Sequence, residues 1–104
     1  MAPKMLPVSF TDPRKPDEEI RNICVQMKPE AEKKTGKDYK VFHALEYRSQ
    51  VVEGVNYLIK VDIGEKDHCL HLLVYQDLSG KNTLTGVKEA KMDDPLEPFN
   101  VNTA

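Results

Sequence analysis

The chain has no tryptophan, two cysteines, and five glycines in 104 residues, none of them before Gly36. It also has no long hydrophobic run. Its apolar stretches are strand-sized, too short to cross a bilayer as helices. Residues 1–8 lack the apolar core of a secretion signal, so the sequence predicts a cytoplasmic protein. Neither sign of charge dominates: 15 Lys and Arg face 17 Asp and Glu, leaving a net charge of −2. That balance offers no basic stripe for nucleic acid or an anionic membrane. The spacing of Cys24 and Cys69 suggests no disulfide framework, and two reduced thiols are expected. There is no glycine-rich phosphate loop, no nucleophile elbow and no paired-carboxylate signature. The reading is of a protein that is not an enzyme and needs no cofactor. At this length it is one domain over 1–104.

Four prolines, Pro3, Pro7, Pro13 and Pro16, fall in the first sixteen residues. Proline fixes φ and has no amide hydrogen, so a flexible, extended arm is expected over about 1–15. Residues 17–35 read as a helix. Asp17, Glu18 and Glu19 suit its positive end, while Lys33, Lys34 and Gly36 suit its C-terminus. Ile20, Ile23, Cys24, Met27 and Ala31 form one apolar stripe. Pro29 interrupts the pattern and predicts a bend in a single helix.

The densest pattern runs from Leu45 to Ile63 and predicts strand, tight turn, strand. Val55, Tyr57, Ile59, Val61 and Ile63 alternate with polar residues, and Leu58 alone is out of phase. On the preceding arm, Val41, Leu45 and Tyr47 alternate with Ala44, Glu46 and Arg48. The turn between them is unusual in composition. Hairpin tips face water and are mostly polar, yet this one carries Val51 and Val52. Apolar groups on a rigid tip suggest a surface meant to be covered by something else.

A third strand follows over 68–78, with Leu70, Leu72 and Val74 on one face and Cys69, His71, Leu73 and Tyr75 on the other. A turn over 79–82, a fourth strand over 84–90, and a tail that is loose over about 95–104 complete the chain. The Cys69–His71 pair, with His68 beside it, offers too few ligands for a zinc site and no evident cleft for a catalytic thiolate. Half-exposed strand positions account for these residues. The order arm, helix, four antiparallel strands predicts an α+β fold, since a lone amphipathic helix needs a sheet face to cover it.

Gln50-Val51-Val52-Glu53-Gly54 resembles the QxVxG loop of the cystatins. The flanks Tyr47-Arg48-Ser49-Gln50 and Asn56-Tyr57-Leu58-Ile59-Lys60-Val61 are similar to the single-domain, disulfide-free stefins, and the likeness runs from about Met5 to Asp94. The resemblance implies the cystatin fold, in which a wrapped antiparallel sheet surrounds one helix, with a short extra strand before it. It also implies a reversible, tight-binding inhibitor of papain-like cysteine proteases of the cathepsin type, acting by steric occlusion. In that picture Val51 and Val52 enter the protease cleft, Gln50 anchors the loop, and Gly54 permits close approach. Leu78, Ser79 and Gly80 form a second wedge, and the trunk Leu6, Pro7 and Val8 lies beside the first. The partner is then the protease alone, with neither nucleic acid nor membrane. The expected state is a monomer, a domain-swapped dimer being the alternative. Three positions depart from the stefin pattern: Val8 where a glycine is usual, Glu53 where a small residue is usual, and Ser79 where proline is usual. Glu53, a carboxylate at a tip that must be desolvated, motivates a second reading, a cystatin-fold module for some other protein partner.

Overall fold

Helix α1 spans Glu18–Thr35 and starts where its cap chemistry dictates. The Asp17 carboxylate accepts from the Ile20 amide at 2.9 Å, and Glu18 and Glu19 occupy the first turn. Gly36, at φ 72°, closes the other end by donating to the Glu32 carbonyl at 2.8 Å. The expected stripe is the buried face: Ile20, Ile23, Cys24, Met27 and Ala31 all lie in the core. Pro29 sits on the exposed side within one continuous helix.

The structure is a computed structural model, and it describes residues 9–99. The trunk positions Leu6, Pro7 and Val8, and the end of the tail over 100–104, lie outside the described residues. After the helix come β1 (His43–Val52), β2 (Gly54–Asp62), β3 (His68–Gln76) and β4 (Asn82–Lys91). They pair in chain order as an antiparallel meander. The helix crosses one face of this sheet and touches both outer strands, β1 and β4. Tyr57, Ile59 and Val61 of β2 and Leu70, Leu72 and Val74 of β3 meet its stripe, as their alternation predicts.

Several expectations need correction. The alternation read on β1 breaks at a bulge between Ala44 and Glu46, which turns Leu45 out to solvent and lets Ala44 and Tyr47 reach the core. The arm is anchored well before residue 15. The Thr11 amide donates to the Ser49 carbonyl at 2.8 Å, and Arg14 exchanges two backbone bonds with Tyr47. Among the described residues, the extra strand that the resemblance implies is a single bridge, Arg14 to Tyr47. Finally, Cys69 and His71 are buried, not half-exposed. The tail folds back over the outer face of the sheet: Lys60 Nζ donates to the carbonyls of Met92 and Asp94, and Arg48 donates to that of Leu96. The tail expected to be loose from 95 is therefore packed at Leu96, which is fully buried along with the out-of-phase Leu58.

Candidate binding edge at one end of the sheet

An antiparallel meander places alternate turns at the same end. Here the β1–β2 and β3–β4 turns share one edge, and the β2–β3 turn lies at the other. At the first tip the last cross-strand pair is Val52 with Gly54, so Glu53 alone makes the reversal. Gly54 has φ +100°, a region that side chains rarely tolerate. A Cβ there would lie 2.3 Å from the Gln76 carbonyl oxygen and 3.0 Å from the Tyr75 hydroxyl. The glycine is buried. The backbone that approaches it belongs to β3 of the same chain, which is a different reason for glycine than room for a partner. The Tyr75 hydroxyl also donates to the Glu53 carbonyl, tying the tip to the second hairpin. Below it, Asn56 Nδ2 donates to Gln50 Oε1 at 3.0 Å across the strands, so Gln50 stiffens the loop's base. With the backbone held this way, Val51 and Val52 project outward, 63% and 43% exposed.

The second tip is held by one carboxylate. Asp77 Oδ1 accepts from the Ser79 amide at 2.9 Å, the Ser79 hydroxyl at 2.7 Å and the Lys81 amide at 2.9 Å. The Ser79 hydroxyl first, then the Lys81 amide, hold the Asp77 carboxyl below its ordinary range. Backbone bonds between Asp77 and Lys81 and from Gly80 to Asp77 close the turn. Gly80, at φ +90°, has open space around it, so its role is conformational. Ser79 is turned inward to the carboxylate, and Leu78 is left 80% exposed. Gln76 and Asn82 bond across the base of the hairpin, and Asn82 reaches Gln26 on the helix at 2.8 Å.

The described chain begins beside the same edge. Going backwards from Arg14 opposite Tyr47, through Thr11 beside Ser49, the chain runs toward the first tip. Of the residues expected at the site, Gln50 to Gly54 and Leu78 to Gly80 are thus brought to one edge. Sequence reasoning missed Tyr75 and Asp77. The run Asp77-Leu78-Ser79-Gly80 carries an Asx-turn signal that could have found the second of them. Nothing marks Tyr75 until the pairing register is known.

The chemistry available is that of a surface. Among the described residues no group of His, Cys, Asp and Glu could hold a metal ion, and no helix is long and apolar enough to cross a membrane. Burial pushes the Cys24 thiol up to about 12 and raises that of Cys69, so both are protonated and unreactive at neutral pH. What the edge presents is apolar contact area on two stiff loops.

Comparison with known proteins agrees with that geometry. A family model described as the cystatin domain matches residues 10–96. Cystatin-A of Mus musculus is 42% identical over 93 residues, covering 86% of this chain and 94% of that protein. Cystatin-B of Oplegnathus fasciatus is 44% identical over 87 residues, covering 80% and 86%. Leukocyte cysteine proteinase inhibitor 1 of Sus scrofa is 45% identical over 75 residues, 72% of each chain. With this helix, this sheet and these matches over most of its length, the chain belongs to the cystatin family.

Proposed function

We propose that the protein is a reversible inhibitor of papain-like cysteine proteases, and that it works by covering the active-site cleft without any bond being made or broken. One observation carries the reading. Among the described residues five large apolar side chains stand exposed, and three of them, Val51, Val52 and Leu78, lie at the two tips of one edge. A relative is named as a cysteine proteinase inhibitor, which supports the same class of partner. In this reading Val51 and Val52 fill the apolar walls of the cleft, Leu78 enters beside them, and Leu6, Pro7 and Val8 occupy its far side. Glu53 stays at the rim. The loops are ordered before they dock, so little conformational entropy is lost on binding. Two unbridged, protonated thiols suit a reducing compartment, and we place the protein in the cytoplasm as a monomer.

The test is a titration of papain activity with the purified chain and a small substrate. Stoichiometric inhibition is expected, with intact inhibitor and an alkylatable papain cysteine recovered after dissociation. Lack of inhibition at micromolar concentrations would move the protein to the second reading, a cystatin-fold module for another partner. A covalent adduct, or cleavage between Val51 and Gly54, would refute the occlusion mechanism.

A further inference from the structure

The outer face of the sheet, opposite the helix and away from the binding edge, holds an arrangement that inhibition does not use. Residues 91–96 form a strap across it. Cys69 Sγ donates to the Lys91 carbonyl at 3.5 Å, and Lys60 Nζ to the Met92 and Asp94 carbonyls, both at 2.9 Å. Arg48 Nη1 donates to the Leu96 carbonyl at 2.6 Å. The Lys91 amide donates to Asp94 Oδ2, and the Met92 amide to the Asp67 carbonyl. His71 lies on this face at 1% exposure, cross-strand from Lys60 on one side and Lys88 on the other.

Both ring nitrogens of His71 are buried without a hydrogen-bond partner. An unsatisfied polar ring in a closed site is costly, and a leucine or phenylalanine would fill the space without that cost. The groups facing it are Lys60 from β2, Lys88 from β4 and Asp94 from the strap. Glu46 of β1 lies 3.8 Å from Lys60 Nζ and partly offsets it. A proton on His71 would add a third cation to two, with one carboxylate near the ring. Burial first, then Lys60 and Lys88, lower its pKa from 6.5 to about 4, with Asp94 opposing.

We infer that His71 is an acid-operated release for the strap: on taking up a proton it expels residues 92–96 from the outer face, while the core under the helix stays closed. The sign follows from linkage. With the strap open, the imidazole is in water and titrates near 6.5; with it closed, near 4. The closed form is therefore at its most stable above 6.5. As pH falls through that window, opening gains up to about tenfold per pH unit, roughly a hundredfold in total between pH 7 and pH 4.

The two cysteines report the two faces separately. Cys69 lies under the strap, and Cys24 lies on the buried face of the helix. The experiment labels the full chain with 4,4′-dithiodipyridine, which reacts at acid pH, and assigns the modified cysteine by peptide mass spectrometry. The rates for the wild type and His71→Phe are compared at each pH, which cancels the reagent's own pH dependence. The expected result is a wild-type to variant ratio at Cys69 that rises roughly a hundredfold from pH 7 to pH 4, with Cys24 protected throughout. Leu96→Ala should open Cys69 at pH 7 while leaving Cys24 closed. If His71→Phe does not fold, His71→Leu replaces it. A wild-type to variant ratio at Cys69 that stays flat from pH 7 to pH 4, or Cys24 and Cys69 opening together, would each overturn the inference.

Discussion

The two hairpin tips present the same kind of surface by opposite means. At the first, the backbone is fixed by something missing: Gly54 has no Cβ, and the Gln76 carbonyl occupies the place one would take. At the second, the backbone is fixed by something added, the Asp77 carboxylate and the three donors converging on it. The first device has no intermediate setting, because a methyl group either fits or moves a strand. The second is graded, because hydrogen bonds to an exposed carboxylate can be lost singly and replaced by water. The pair should therefore fail differently, and substitutions can separate them.

The largest effect should come from Gly54→Ala. The new methyl group must displace the β3 backbone, and the residue must leave φ +100° or hold it at a cost of about 1–3 kcal/mol. Both inhibition and the thermal midpoint should fall, and a variant that inhibits papain normally would remove the fit to Gln76 from the account. Val51→Ser and Val52→Ser come next. Each should weaken binding by roughly 1–2 kcal/mol with no change in thermal midpoint, since both side chains are already in water in the free protein. Inhibition constants and melting curves for the same preparations check this.

Asp77→Ala should be milder, a several-fold loss of affinity from a loop that must be ordered on docking. Its signature is faster amide exchange at Ser79 and Lys81, with the first tip unaffected. Because the folded Asp77 titrates below its ordinary value, the order of this loop is fully present above pH 3.8 and fades as pH falls through the lowered value. The smallest effect is expected of Glu53→Ala. Its backbone carbonyl is held by Tyr75 whatever the side chain, so only an exposed charge is lost. A change in association rate that vanishes at high salt is expected, with dissociation unchanged.

Much of this architecture was legible in the chain because period carries it. The helix stripe from Ile20 to Ala31 and the inward series on β2 and β3 are regular, and each met its partner as read. The apolar turn at Val51 and Val52 stood out by composition alone. The rest depends on contacts distant in sequence. Leu45 follows the alternation of its strand but is carried outward by a bulge that no local signal marks. Cys69 and His71 looked half-exposed because the strap bonded to Cys69 and to Lys60 beside His71 comes some twenty or more residues later. Gly54 reads in the sequence as room for a partner, but the neighbours that take the room are Tyr75 and Gln76 of β3, 21 and 22 positions away, and pairing register alone reveals them.

The central claim is that both tips enter one cleft together as preformed loops. Amide exchange of the full chain, alone and with carboxymethylated papain, tests it most directly. The account predicts new protection at residues 50–55 and 78–80 in the same complex, with the tip amides of the free protein already slowed and the helix and outer face unchanged. Protection confined to one tip, or centred on the helix or the outer face, would contradict it.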